Sequence, residues 1–160
     1  MGRTTIAIMG NPNSGKTTLF NKLTGSNQHV GNWPGVTVDR KTGQIHHAGT
    51  VVDVVDLPGI YSLSPYTQEE IIAREFVLSN GLDGILNIVD AANIERNLYL
   101  TMQLIALGLP MVIALNFIDD CRAQGIQIDC QAMSDLLGVR VIPISARRGE
   151  NMDTLLDAVV

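Results

Sequence analysis

The 160-residue sequence is poor in cysteine, in basic residues and in long apolar runs, and each scarcity argues against a class of protein. Its two cysteines lack C-x-x-C spacing, which argues against a disulfide framework and favours a reducing, cytosolic setting. Eleven basic against 16 acidic residues leave a net charge of −5, so a basic face for nucleic acid is disfavoured. Because no uninterrupted apolar run reaches about 18 residues, we predict no bilayer-spanning segment.

The length and composition fit one folded domain. Hydrophobic residues make up 46% and charged residues 17% of the chain, and it contains no repeat, linker or low-complexity tract. The N-terminus leads directly into a strand-like segment, so we expect no targeting peptide. Residues 153–160 follow an amphipathic helical pattern that is still running at the last residue. We therefore expect residues 1–160 to be a single domain that forms part of a longer protein.

Strand-like and helix-like segments alternate along the chain. Continuous apolar runs such as 85–89 and 112–115 are typical of strands whose two faces are both covered by helices. The alternation predicts a doubly wound α/β fold with a six-stranded, mostly parallel sheet, one antiparallel edge strand, and helices on both faces. Strands are predicted at 5–9, 36–46, 51–56, 84–89, 111–115 and 139–144, and helices at 16–23, 69–79, 94–107, 131–137 and from 152 onward.

The first motif, residues 10–17, fits G-x-x-x-x-G-K-[ST] between a predicted strand and a predicted helix. Gly10 and Gly15 permit the dihedral angles that point successive backbone N–H groups at a phosphate. The helix N-terminus adds a positive dipole, and Lys16 adds a charge for the β- and γ-phosphates. The Thr17 hydroxyl is a candidate Mg²⁺ ligand. A chance match with these flanking elements is rare, so we predict a phosphate-binding loop.

Two further segments are candidates for sensing the γ-phosphate. In Asp56-Leu57-Pro58-Gly59, at the end of a predicted strand, the carboxylate can hold Mg²⁺ and the Gly59 N–H can meet the phosphate. Thr37 lies in the connection after the first helix, where its hydroxyl can reach Mg²⁺ and its N–H the γ-phosphate, as in GTPase switches. Trp33 lies in the same connection, and we expect it to be mobile or to face a partner.

The last two motifs predict that the base is guanine. In Asn116-Phe117-Ile118-Asp119, the carboxylate can accept the N1–H and exocyclic amine of guanine, a donor pair that adenine lacks. Asn116 is expected to tie this loop to the phosphate loop, and Ser145-Ala146-Arg147 to supply a backbone N–H to the guanine O6. The predicted nucleotide-binding residues are Gly10, Asn11, Pro12, Asn13, Ser14, Gly15, Lys16, Thr17, Thr18, Gly35, Val36, Thr37, Asp56, Leu57, Pro58, Gly59, Asn116, Phe117, Ile118, Asp119, Ser145, Ala146 and Arg147.

The order of these motifs resembles the translation-factor-related P-loop GTPases, the class that includes Ras. Residues 10–21, 30–38, 56–63 and 94–101 are similar to the N-terminal G domain of the ferrous iron transport protein B (FeoB) family, and the Asn-Trp-Pro-Gly-Val-Thr stretch is the most specific part. The resemblance implies a Ras-like G domain that binds GTP, hydrolyses it slowly, and gates or drives Fe²⁺ uptake. It also implies downstream helical and transmembrane domains and a location on the cytoplasmic face of the bacterial inner membrane. The full protein could form a homo-oligomer through its membrane region.

The resemblance also implies the metal ions and the catalytic set. Mg²⁺ would be held by Thr17, Thr37 and Asp56. K⁺ would be held by Asn11 and would supply the charge that an arginine finger gives elsewhere. The catalytic residues would be Asn11, Lys16, Thr37 and Gly59.

Two departures from the wider GTPase pattern bear on rate and retention. Ile60 stands where Ras-like proteins have a water-orienting Gln, so we expect slow intrinsic turnover. Phe117 replaces the usual Lys, and its ring could stack on the base but loses the polar contacts of the Lys, so we expect weak nucleotide retention.

Other functions remain open at this stage. A ribosome- or RNA-associated regulatory GTPase would share every nucleotide motif, although the net charge disfavours it. An ATP-using P-loop enzyme is disfavoured by the guanine motif, and a binding switch with negligible hydrolysis is the third alternative. The histidines and cysteines match no standard zinc or iron spacing, so we predict no protein iron site here.

Overall fold

The computed structural model describes residues 4–25, 28–79 and 81–160, and within them the chain folds around one seven-stranded sheet. The strand order is β2-β3-β4-β1-β5-β6-β7. The strands are β1 Thr4–Gly10, β2 Gln28–Asn32, β3 Asp39–His47, β4 Thr50–Asp56, β5 Gly84–Asp90, β6 Met111–Asn116 and β7 Arg140–Pro143. The helices are α1 Lys16–Thr24, α2 Gln68–Leu78, α3 Ile94–Ala106, α4 Ile118–Ala123, α5 Cys130–Leu137 and α6 Met152–Val159, and a 3₁₀ turn spans Ala91–Asn93.

The sheet confirms the predicted doubly wound, mostly parallel class. β4, β1, β5, β6 and β7 run parallel, β3 is antiparallel to β4, and β2 is antiparallel to β3. The predicted count of six strands was one short in the described chain. The additional strand is β2, which lies at the edge of the sheet and pairs antiparallel with β3. Four of its five residues are exposed, and Val30 is its one β-branched residue. Its pairing with β3 defines this strand, and it has no apolar alternation that the sequence could reveal.

Successive residues of the central strands feed two separate hydrophobic cores. Ala7 and Met9 of β1 pack into the core on one face, with residues from α2 and α3. Ile6 and Ile8 pack into the core on the other face, with residues from α1 and α6. Since side chains alternate between the faces of a strand, helix coverage on both sides makes the whole strand apolar. The predicted pattern of continuous apolar strands is thereby explained.

The β3–β4 hairpin turns through Ala48 and Gly49, both with positive φ (51° and 79°). Two consecutive residues of positive φ form the tight turn that matches strand twist. Throughout residues 4–25, 28–79 and 81–160, every helix falls short of the length or apolarity that crossing a bilayer would require.

Candidate nucleotide-binding site

The loop between β1 and α1 is packed so closely on its neighbours that its two motif positions accept only glycine. A Cβ on Gly10 would lie 2.5 Å from the Ile88 side chain and 2.7 Å from the Ile88 carbonyl oxygen. Gly15 has φ 90°, and a Cβ there would lie 2.2 Å from Asn116 Nδ2. The loop therefore sits in contact with β5 and with the end of β6. It borders a cleft of about 350 Å³, lined by Asn11, Pro12, Asn13, Gly15, Lys16, Thr17, Thr18 and Gly59.

Lys16 and the carboxylate at the end of β4 form a close ion pair beside this cleft. Lys16 Nζ lies 2.5 Å from Asp56 Oδ1, and the two side chains are 12% and 4% exposed. Thr17 and Asp56 line a shared smaller pocket. A hydroxyl and a carboxylate in one pocket are ligands that suit Mg²⁺. The sequence reasoning missed Asp39 and Lys41, which line this pocket as well, because they enter it through the strand register of β3.

The D-x-x-G segment packs directly against the phosphate loop. The Ile60 N–H donates a hydrogen bond to the Gly10 carbonyl oxygen at 3.0 Å. A Cβ on Gly59 would lie 3.1 Å from the Pro12 backbone, so a side chain there would require a small shift of the phosphate loop. Gly59 thus borders the cleft, whereas the Ile60 side chain is 2% exposed and packs in the core.

Thr37 and Trp33 lie in the connection between β2 and β3. Thr37 is exposed and lies outside the lining of the two pockets described above. The expectation that Trp33 is mobile or partner-facing was wrong. Trp33 is 9% exposed, packs edge-on against Phe76 with ring centroids 5.7 Å apart, and has the Arg40 guanidinium 4.9 Å from its ring centroid. Val36 also packs against this core, and Gly35 has φ 76°.

Asn116 joins the two loops at the other end of the site. Its Nδ2 donates to the Ser14 carbonyl oxygen at 2.9 Å, and its Oδ1 accepts from the Ala146 N–H at 3.0 Å. One buried side chain therefore connects the phosphate loop to the Ser145-Ala146 loop. The bond to Ser14 is the contact that the sequence led us to expect, and the bond to Ala146 is additional.

Asp119 presents an ionised carboxylate at this end. Its side chain is 7% exposed, and its Oδ2 lies 3.3 Å from both Arg147 Nη2 and Arg148 Nε. Burial acts to raise the pKa of Asp119, but hydrogen bonds from the Ser145 side chain, from the backbone and from Arg147 outweigh it and leave the pKa below its ordinary value. The contact with Arg148 was not foreseen from the sequence.

Phe117 has a left-handed backbone conformation (φ 67°) between β6 and α4. A Cβ on Gly15 would lie 3.5 Å from Phe117 Cζ, so the ring lies against the phosphate loop. Ile118 is buried at the start of α4. The ring therefore already has a packing partner in the protein itself.

The Asn11 side chain is a polar group for which the described part of the protein provides no partner. It is 2% exposed, it borders the cleft, and neither its Nδ2 nor its Oδ1 has a hydrogen-bond partner among the described residues. Buried amides are normally paired. A carbonyl-type oxygen without a partner suits a cation such as K⁺, so the residue fits the ion that the family resemblance implies.

Comparison with known protein families identifies the family to which the chain belongs. The family model for ferrous iron transport protein B matches residues 4–159. The chain belongs to the FeoB family. It is 50% identical over 163 residues to the Fe(2+) transporter FeoB of Escherichia coli K12, covering 99% of this chain and 21% of that protein. The chain thus spans about a fifth of the length of the curated relatives it matches.

Solved FeoB structures share the fold. A GDP-bound mutant of NFeoB from S. thermophilus has 53% identity and a TM-score of 0.92, covering 97% of this chain and 61% of that one. The FeoB G domain from Methanococcus jannaschii has 42% identity and a TM-score of 0.88, covering 99% and 96% of the two chains. The chain is therefore an N-terminal FeoB G domain with a GTPase fold.

A larger cleft of about 560 Å³ lies at the opposite end of the parallel strands of this FeoB domain. It is bordered by the start of β5 near Gly84, by the start of β6 near Met111 and by the end of α6. In a doubly wound sheet, ligands bind at the carboxyl ends of the strands. The smaller cleft beside Lys16 is for this reason the candidate site.

Proposed function

We propose that this chain binds GTP with Mg²⁺ and hydrolyses the γ-phosphate. The proposal rests on the placement of a phosphate-binding group and a base-binding carboxylate at the carboxyl ends of the parallel strands. Lys16 and the phosphate loop lie at one end, and the ionised Asp119 lies at the other, with Asn116 joining them. The GDP in a relative of 53% identity supports the same use of this edge.

The roles of the site residues follow from their chemistry. The backbone N–H groups of residues 10–18 and Lys16 bind the phosphates, and the Gly59 N–H meets the γ-phosphate. Asn116, Phe117, Ile118 and Asp119 form the base loop with residues 145–147, and the Asp119 carboxylate selects guanine. The catalytic set remains Asn11, Lys16, Thr37 and Gly59.

Two cations belong to the proposed site. Thr17 and Asp56 share one pocket and are assigned to Mg²⁺ together with Thr37, which must approach from its exposed position. Mg²⁺, when bound, neutralises charge on the phosphate oxygens, and K⁺ beside Asn11 supplies further positive charge. Asn11 is the strongest case, since its buried amide has no partner within the described residues.

The rate of hydrolysis should be low without K⁺. The Ile60 side chain is apolar, and it is buried in the core rather than turned to the cleft. Because it cannot orient the attacking water, catalysis depends more heavily on the backbone groups and on the cation. Phosphate release should rise when Na⁺ is exchanged for K⁺ in wild type, and this rise should vanish in Asn11→Ala.

For the whole protein, we propose that this domain, residues 1–160, gates or drives Fe²⁺ uptake by a membrane region. The relatives that this chain matches are Fe²⁺ transporters about five times its length. The domain would then work at the cytoplasmic face of the bacterial inner membrane, with the downstream helical and membrane domains as its partners, in a homo-oligomer or alone.

The deciding experiment is competition for a fluorescent GDP analogue in Mg²⁺ buffer. GTP and GDP should displace the probe, and ATP should not do so at about a hundredfold higher concentration. Equal displacement by ATP and GTP would overturn the guanine assignment, and an absence of phosphate release in both K⁺ and Na⁺ would overturn the enzymatic one.

A further inference from the structure

Helix α3 contacts the segment that follows the γ-phosphate motif at two points. The Leu63 N–H donates a hydrogen bond to Gln103 Oε1 at 2.8 Å. The Arg96 guanidinium lies 5.3 Å from the ring centroid of Tyr61. Gln103 and Arg96 lie seven residues apart, about two turns of helix, and so on one face of α3. Two side chains of one helix face thereby hold two residues of one short loop.

That segment is the part of the chain that places Gly59 at the cleft. Ile60, next in sequence, is fixed to the phosphate loop by the 3.0 Å bond from its N–H to the Gly10 carbonyl oxygen. Beyond it, the Leu63 side chain packs against the core. The two α3 contacts add a restraint on the Leu63 backbone and on the Tyr61 ring, within four residues of Gly59.

A further restraint on this segment comes from α2. Ser62 Oγ donates to Glu70 Oε2 at 2.8 Å, and Glu70 also closes the N-terminal cap of α2 with Thr67. Because Ala73 and Val77 of α2 are buried in the core beside β1, this contact also restrains the segment.

Helix α3 is anchored by buried hydrogen bonds to the strand that leads into the phosphate loop. Thr101 Oγ1 donates to Asn87 Oδ1 at 2.6 Å, and Asn87 Nδ2 donates to the Met9 carbonyl oxygen at 3.0 Å. Thr101 and Asn87 are 0% and 1% exposed. A buried network with its partners in place is rigid. The face of α3 that holds the segment is therefore fixed relative to Gly10.

We propose that Gln103 and Arg96 are positioning residues that latch the 59–63 segment with the Gly59 N–H toward the γ-phosphate. This inference rests on the proposed function, because it concerns the same nucleotide site. The latch contributes to binding of a nucleotide with a γ-phosphate and contributes nothing to GDP. Gln103 acts through Leu63, and Arg96 acts through Tyr61.

The test compares affinities for GDP and for a non-hydrolysable GTP analogue, with kcat measured in parallel. Gln103→Ala removes one hydrogen bond and should weaken analogue binding and kcat by about fivefold while GDP affinity is unchanged. Gln103→Glu retains an acceptor oxygen and should restore both. Arg96→Ala should weaken analogue binding by about twofold, since its cation–π contact is exposed. Met102→Ala, on an exposed position of the same helix, should change neither ligand's affinity.

The possible outcomes distinguish a failure of the latch proposal from a failure of the proposed nucleotide binding. An analogue-to-GDP affinity ratio in Gln103→Ala equal to that of wild type would overturn the latch, whether both affinities fall together or neither changes. Failure of Gln103→Glu to restore the ratio would overturn it as well. If wild type itself binds neither GDP nor the analogue, the proposed function fails and the latch fails with it.

Discussion

Replacing Asp119 by Asn tests base recognition with the smallest available change. The substitution keeps the size of the side chain and replaces one carboxylate oxygen by an amide nitrogen. Guanine offers the N1–H and the exocyclic amine, so the carboxylate accepts two hydrogen bonds and the amide can accept only one. At the second position, the amide nitrogen of Asn, a donor, would face a guanine donor. We therefore expect guanine binding to fail while the fold is retained.

The magnitude follows from the surroundings of Asp119. Its side chain is 7% exposed, so its hydrogen bonds to guanine are charge-assisted and largely shielded from water. Losing one such bond costs about 1.5–3 kcal/mol, and leaving the second guanine donor without an acceptor costs about 1–3 kcal/mol more, which together is roughly 10²- to 10⁴-fold in affinity. The two arginines that pair with it are 70% and 67% exposed, so releasing them adds little.

The assay is calorimetric titration with GDP and with xanthosine diphosphate, which carries a carbonyl oxygen where guanine has the amine. Asp119→Asn should lose GDP binding and gain the xanthine nucleotide, because its amide can donate to that oxygen. Asp120→Asn is the matched control, since its side chain is 52% exposed and has the wrong offset from Asn116. An Asp119→Asn variant that binds GDP as tightly as the control would refute this reading of the base loop.

Three other tests probe the site. Gly15→Ala forces a Cβ against Asn116 Nδ2 at positive φ, so it should abolish GDP binding and destabilise the fold by about 1–3 kcal/mol, and an unchanged melting temperature would contradict the packing. Lys16→Met leaves the Asp56 carboxylate buried without its cation and should cost about 3 kcal/mol in urea unfolding, most of which Lys16→Met/Asp56→Asn should regain. Because the pKa of Asp119 is lowered on folding, its contribution to stability is present above the ordinary value of 3.8 and is lost as pH falls through the lower folded value. The carboxylate that accepts guanine therefore stays ionised at mildly acidic pH, and GDP affinity should stay flat from pH 7 to about pH 5, whereas a titration of Asp119 within that range would contradict the lowered pKa.

The parts of the site that the sequence predicted are those set by local geometry. The turn from β1 into α1 needs glycine at Gly10 and Gly15, and both requirements are visible in the spacing alone. The role expected for Asn116 also appears in the structure, because the ends of neighbouring strands must meet at one edge of a parallel sheet. In a parallel sheet, motifs that follow successive strands lie close together, so their proximity can be predicted without knowing how the side chains pack.

The parts that the sequence missed depend on contacts between distant segments. Trp33 lies between Asn32 and Pro34, which suggested a mobile loop, but its burial is created by Phe76, far along the chain. Strand β2 exists because β3 offers it a partner. A restraint on residues 61–63 comes from α3, whose own pattern signals only an amphipathic helix. Sequence patterns describe one segment at a time, whereas each of these features depends on contacts between two segments.

The motifs are also connected to one another through the phosphate loop, which bears on how the site responds as a unit. Asn116 bonds to Ser14 and packs where a Gly15 side chain would stand, and at the other end of the loop Gly10 accepts the Ile60 N–H. The base loop and the γ-phosphate segment thus both press on the same short turn. Because these contacts are close-packed, a substitution that displaces the turn should displace both segments with it.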